Sequence, residues 1–377
     1  MWADVNEGAN QTGRVSSSPP AVAILMRNEL LGDAITHVPA YRALRIAYPH
    51  HRIVALYKEQ TAWAGALSAV RADFIDDIRT DLAIGDGVAA TYRVLKEVEN
   101  LDLVLDFRAN LHTLWTLFAI SRLSARYVAN VSGFALRRGV PGGIVSRPET
   151  NAARYHRMVE LAAGRALPFD GRLAIPGDAR AQAQRLIQHG QRYLCLAVGS
   201  PQSTKAWPRD KWIGLANHVA NLGLLPVFLI GVQEDGEREW IARDVPQAMI
   251  VDRVSAERPE QLPWLFAALG ERAVGAVTVE GGIGHLLATA ALPLLTIAGP
   301  TNPRRWRPVT PYHWIVWSQE FGSSKTADVP LEVVMARTQE LVDFSERRAA
   351  EQPDRVSPAD QVSEPPTAQL IKMKSSA

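Results

Sequence analysis

Cysteine is nearly missing from this sequence: Cys195 is the only one among 377 residues. No disulfide can close within the chain, which suits a reducing cytoplasm. Long hydrophobic runs are also absent, and nothing approaches the roughly 18 to 20 apolar residues that span a bilayer. The N-terminus is polar and lacks a signal-peptide core, so a cytoplasmic protein is expected. Charge of either sign is not in excess. A net charge of +2 is far from the field of a protein that coats nucleic acid, and no nucleic-acid partner is expected. The sequence has no strict D-x-D motif and its histidines do not cluster at ligand spacing, so no metal site is expected. What is plentiful is apolar residues, at 47%, in a chain too long for one core. Two domains are the default expectation.

Apolar strand-like runs alternate with helical patterns, as in parallel sheets with crossover helices. The first half carries strand patterns at Val22–Met26, Ile53–Leu56, Phe74–Ile78, Leu103–Phe107 and Tyr127–Val131. The second half repeats the scheme at Tyr193–Val198, Pro226–Ile230, Met249–Val251, Ala276–Val279 and Leu294–Ala298. Helices are expected near Ala153–Ala163, over Asp210–Leu222 with Gly223 closing it, and over Pro330–Arg347. The resulting division is a polar N-terminal tail (1–20), a first α/β domain (21–150) and a linker region (151–190). A second α/β domain (191–330), a C-terminal helix (331–349) and a Pro, Ser, Glu and Gln-rich tail (350–377) complete it, both tails being expected to be disordered.

Two strand-to-helix turns stand out. Val22–Met26 leads through Arg27 to Gly32-Asp33-Ala34, with an amphipathic stretch from Ile35 to Ala47. Val277-Thr278-Val279-Glu280 leads into Gly281-Gly282-Ile283-Gly284-His285 and another apolar helix. In open α/β sheets ligands bind beyond the carboxyl ends of the strands, so both turns fall where chemistry is usually done.

Four segments carry a resemblance to glycosyltransferase family 9, whose best-known members are the heptosyltransferases of lipopolysaccharide core synthesis. They are Arg27 with Gly32-Asp33 and Pro39-Ala40-Tyr41-Arg42-Ala43-Leu44; Leu101-Asp102-Leu103-Val104-Leu105-Asp106-Phe107-Arg108; Gly199 to Lys205-Ala206-Trp207-Pro208; and Glu280 to His285 joined to Gly299-Pro300-Thr301. The similar stretch covers residues 21 to 320. The resemblance implies the α/β GT-B architecture: two Rossmann-like domains with parallel sheets facing a central cleft, the acceptor held mainly by the first and the nucleotide sugar by the second. It also implies inverting transfer without a metal or other cofactor. The chain departs from the family pattern at Glu280, in place of the usual aspartate, and at Gly281, in place of serine or threonine.

Inverting transfer needs a base that takes the acceptor hydroxyl proton as the oxygen attacks the anomeric carbon. Asp33 is the candidate, its plainer alternative being a cap on a helix that starts at Ala34. The departing nucleoside diphosphate needs fixed positive partners, and Lys205 is the candidate, with Ser200 and Thr204 as donors; alternatively Lys205 is a solvated lysine in a turn. Gly281 and Gly282 can admit close backbone approach to an anion beside Glu280 and His285, or can serve helix-to-sheet packing. Glu234 is placed to accept from sugar or ribose hydroxyls, or is a surface acid, and Thr301 is a further phosphate contact. Residues 101–148 hold Arg108, Arg122, Arg126, Arg137, Arg138 and Arg147 against Asp102 and Asp106. Arg27, Arg108, Arg137 and Arg138 are the acceptor candidates, set to meet phosphates or carboxylates of a lipid-linked or lipopolysaccharide glycan at the inner membrane face.

The expected activity is transfer of heptose from ADP-heptose to such a glycan. A nucleotide-sugar epimerase of the same architecture and a non-catalytic nucleotide-sugar-binding homologue are the alternatives. A dinucleotide-dependent dehydrogenase fits less well, because the first turn offers only Gly32 and no G-x-G-x-x-G.

Overall fold

The structure, a computed structural model, describes residues 18–109, 112–199, 203–232 and 236–351. The two expected disordered tails, and with them Ser200 and Glu234, lie outside or largely outside these ranges. The chain divides into two compact units. The first takes the described residues as far as Ala174 together with Asn302–Val309; the second takes Ile175–Thr301 and the residues from Thr310 onward.

In the first unit, β1 (Ala21–Met26), β2 (Arg52–Tyr57), β3 (Asp77–Arg79), β4 (Leu101–Asp106), β5 (Arg126–Ala129) and β6 (Arg137–Arg138) form one sheet in the order β3-β2-β1-β4-β5-β6. All pairings are parallel except β5 with β6. The helices are α1 (Leu31–Ala47), α2 (Val88–Lys96), α3 (His112–Ile120) and α4 (Asn151–Ala163). Strand β1 is buried along its whole length, as a central strand covered on both faces must be. Ala21, Ala23 and Leu25 join Leu95, Val98, Ala119 and Ile120 in one core cluster, which places α2 and α3 on that face. Helices α1 and α4 pack on each other.

The second unit repeats the plan. Its strands are β7 (Tyr193–Ala197), β8 (Leu225–Leu229), β9 (Met249–Val251), β10 (Gly275–Val279), β11 (Leu294–Ala298) and β12 (His313–Trp317), all parallel, in the order β12-β11-β10-β7-β8-β9. Its helices are α5 (Gly177–Leu186), α6 (Arg209–Asn221), α7 (Glu237–Asp244), α8 (Leu262–Arg272), α9 (Gly282–Ala288) and α10 (Leu331–Glu351). Helix α10 lies against β10, β11, β12 and α6. Its approach is so close that a Cβ on Gly275 would collide with Leu341 and stand 2.9 Å from the Pro293 carbonyl oxygen. Glycine is therefore required there by packing rather than by backbone conformation.

Both sheets have the doubly wound order in which connections reverse direction beside the first strand. The reversal falls between β1 and β4 in the first unit and between β7 and β10 in the second.

Several expectations need correction. Residues Phe74–Ile78 are mostly not a strand: β3 starts at Asp77, and Ser68–Asp73 is a 3-10 helix. The first helix begins at Leu31 rather than at Ala34, with Leu30 as its N-cap. The sequence reading placed no strand at β6, which is two arginines long, or at β12, which is half-exposed at the sheet edge. Residues 151–190, taken as a linker region, hold α4 in the first unit and α5 in the second, and α5 packs on α8.

Candidate active site

In the first unit a pocket of ≈ 250 Å³ opens at the β1/β4 reversal. Met26, Arg27 and Asn28 from the end of β1, Phe107, Arg108 and Ala109 from the end of β4, and Asp33, His37, Tyr155 and Trp306 are among the residues that line it. Asp33 is the third residue of α1, so it sits within the first turn, where a carboxylate is favoured by the helix dipole. The capping alternative for Asp33 falls away, since Leu30 occupies that position.

From the pocket wall His37 leads into a buried polar network. Glu29 is 2% exposed and accepts from His37 Nδ1, from Tyr57 Oη at 2.7 Å and from Thr61 Oγ1 at 2.6 Å. His37 lies four residues after Asp33, which puts both side chains on one helix face. Its ring meets Tyr155 edge-on at 4.3 Å between centroids and lies 5.3 Å from Phe107. Burial pushes the Tyr155 hydroxyl up to about 12; the Asp33 and Glu29 charges add to that, and Arg305 and Arg147 oppose it. Tyr155 thus feels both acidic and basic neighbours. The i+4 spacing of His37 from Asp33 could have flagged it from sequence. For Glu29, Tyr155 and Trp306 no local pattern does so.

The acceptor candidates fare differently. Arg27 lines the pocket and pairs with Glu59 at 2.9 Å on the surface. Arg108 also lines it, but its guanidinium is buried on Asp106, with Nε and Nη2 donating at 2.8 and 2.7 Å, and on Thr116. Burial alone would lower its proton affinity, yet the Asp106 carboxylate holds it above the usual arginine range. Arg137 and Arg138 are not brought to the pocket. Arg137 donates to the Gly142 and Gly143 carbonyls, and Arg138 to those of Ile120 and Leu123.

In the second unit the donor candidates converge at the β7/β10 reversal. Lys205, in the loop after β7, donates from Nζ to Glu280 Oε1 at 3.1 Å, and Glu280 directly follows β10. Thr301, beyond β11, donates to the other Glu280 oxygen. Both members of the ion pair are largely buried, with side chains 16% and 9% exposed. The loop is anchored by Trp207, whose Nε1 donates to the Val329 carbonyl at 3.0 Å and whose ring meets Trp212 edge-on. Thr204 is exposed, and its carbonyl accepts from Thr326. His285 is buried; burial, then the Lys205 charge, lower its proton affinity to about 4, and its Nδ1 has no partner among the described residues.

The glycines of the second turn differ in kind. Gly281 has extended backbone and open space, its nearest neighbour being the Gly199 carbonyl at 3.8 Å, so a serine or threonine would fit. Gly282 opens α9. Gly284 packs on β10, where a Cβ would stand 2.9 Å from Thr278 Oγ1.

Two such domains, with charged side chains gathered at both sheet reversals, are those of a glycosyltransferase of the GT-B fold, and comparison with known proteins agrees. Residues 149–331 match the model of glycosyltransferase family 9 (heptosyltransferase). That stretch, just under half of the chain, is similar to the family. It is 26% identical over 306 residues to lipopolysaccharide heptosyltransferase 1 of Pseudomonas aeruginosa, covering 74% of this chain and 79% of that protein. A family 9 glycosyltransferase structure from Veillonella parvula superposes with a TM-score of 0.64 at 18% identity, covering 87% of this chain and 98% of that one. The ADP-heptose lipopolysaccharide heptosyltransferase II of E. coli gives 0.60 at 15% identity, covering 86% and 99%.

Proposed function

We propose that this chain is an enzyme of the heptosyltransferase kind that moves heptose from ADP-heptose, with inversion, onto a lipopolysaccharide-core or related cell-envelope glycan. The observation that carries the reading is Asp33 on the wall of the pocket at the β1/β4 reversal. Asp33 takes the proton of the acceptor hydroxyl as that oxygen bonds to the anomeric carbon. The bond from that carbon to the diphosphate oxygen breaks, and its electron pair leaves with ADP. Lys205 counters the charge that develops on the diphosphate, so no divalent ion or other cofactor is required. The names of the Pseudomonas and E. coli relatives support heptose and lipopolysaccharide as the substrate class. No helix among the described residues is long and apolar enough to cross a membrane. In this reading the enzyme works in the cytoplasm and meets its acceptor at the inner membrane face.

The test is Asp33→Asn with ADP-heptose and a lipopolysaccharide-core acceptor. Transfer is expected to drop by about a thousandfold, with ADP affinity kept. Transfer near the wild-type rate would remove Asp33 from the base role. Turnover of ADP-heptose to an isomer without acceptor would replace the transferase reading with an epimerase.

A further inference from the structure

Three arginines of the first unit are gathered with no carboxylate in ion-pair contact among the described residues. Asn151 is 3% exposed, and its Oδ1 accepts from Arg154 Nη1 at 3.1 Å and from Arg305 Nε at 3.2 Å. One neutral amide oxygen therefore draws two guanidinium groups together. The Asn151 backbone N–H donates to the Arg305 carbonyl at 2.9 Å, which ties the Arg305 segment to the start of α4. Arg147 is held by the carbonyl and side-chain oxygens of Asn130, and its Nε is shut off from solvent without a partner among the described residues. Arg154 Nε donates to the Pro148 carbonyl at 2.7 Å.

None of the three pairs with an acid among the described residues, whereas Arg45, Arg126 and Arg180 each rest on a carboxylate. Exposed Glu149 acts on Arg154 only from beyond ion-pair distance. Burial, then Arg305, pull the Arg147 guanidinium below the usual arginine range. For Arg154 burial, then Arg147 and Arg305, do the same. Like charges packed this way repel, and the neutral oxygens beside them do not cancel the charge. An oxyanion would.

We propose that Arg147, Arg154 and Arg305 form an anion subsite beside the pocket, which takes the oxygens of a phosphate or carboxylate carried by the acceptor. The planar guanidinium fork suits either group. Its place is set by Trp306, over which the Arg305 guanidinium lies at 5.9 Å and which lines the same pocket as Asp33 and Tyr155. The subsite rests on the reading of that pocket as the acceptor site, and it fixes the acceptor as an anionic glycan.

The test is calorimetric titration of the full chain with inorganic phosphate, comparing wild type, Arg305→Gln and Lys205→Gln. Arg305 is exposed, so its replacement leaves the fold intact. Phosphate affinity is expected to fall by about tenfold or more in Arg305→Gln and to persist in Lys205→Gln. The ligand-free Tm of Arg305→Gln is expected to equal or exceed that of wild type, because repulsion is relieved. Unchanged phosphate affinity in Arg305→Gln, loss of all phosphate binding in Lys205→Gln, or a Tm lowered by several degrees in Arg305→Gln would each overturn the subsite. Acetate titrated in parallel separates the two sources: tighter phosphate supports a phosphate ester, tighter acetate a carboxylated sugar, and binding of neither overturns the proposal. ADP titrated into the same samples keeps the donor reading apart. Failure of every form to bind ADP would sink that reading while the phosphate result stood.

Discussion

Lys205 and Glu280 hold each other at the β7/β10 reversal, ammonium on carboxylate at 3.1 Å, although they are 75 residues apart in sequence. On the proposed donor role, a diphosphate arriving there would meet a cation already shared with an acid. Glu280→Gln removes the competing charge and is expected to tighten ADP binding several-fold, while Lys205→Met weakens it by about tenfold or more. Calorimetric titration with ADP measures both. Equal affinities in the two variants would show that the pair does not face the nucleotide.

The network joined to the first pocket through His37 makes Glu29 a structural keystone. Glu29→Ala leaves His37, Tyr57 and Thr61 without their acceptor and is expected to cost about 3 kcal/mol, with Glu29→Gln costing less. Urea denaturation gives the difference.

Stability is expected to fall in mild acid because of His285. Its folded proton affinity, near 4, lies below the ordinary imidazole value of 6.5, so the unfolded chain takes up a proton that the folded one refuses. The contribution is full above pH 6.5 and is lost as the pH drops toward 4, amounting to about 3 kcal/mol. Melting curves across that window should steepen for wild type relative to His285→Gln. Parallel curves would show that the imidazole is not the group responsible.

Cys195 lies in the middle of β7, fully buried, and burial pushes its thiol up to about 12. It is expected to stay unmodified by a thiol reagent in the native protein and to react fully in denaturant. Rapid native labelling would contradict the packing of that strand.

Gly275→Ala is expected to destabilise by about 1 to 3 kcal/mol, since the added methyl meets Leu341 and the rigid Pro293 carbonyl. Gly281→Ser, with open space around it, should be close to neutral. Thermal denaturation of the pair tests whether the two glycines are as unlike as their surroundings.

The central strands were legible because a strand buried on both faces reads as a continuous apolar run, as in Val22–Met26 and Leu294–Ala298. Edge strands lack that signal. Arg137–Arg138 shows only charge, and His313–Trp317 is mostly half-buried. The positions of the candidates Asp33, Lys205, Glu280 and Thr301 beyond strand ends were legible because each follows a strand at a motif. The grouping of Arg147 and Arg154 with Arg305 was not, because Arg154 meets a segment about 150 residues away through one asparagine oxygen, and a different asparagine, Asn130, holds Arg147 in its loop. Nor could sequence reveal that Arg108, Arg137 and Arg138 are already engaged by Asp106 and by carbonyls.

The first unit borrows Asn302–Val309 from between two stretches of the second in sequence, and with it Arg305 and Trp306. The fit is close: a methyl on Gly171 would press within 2.5 Å of Val309 Cγ1. A gene cut at the boundary after Ala174 would therefore encode a front half with a missing wall, and anyone seeking that half alone must splice the eight-residue visitor back onto it.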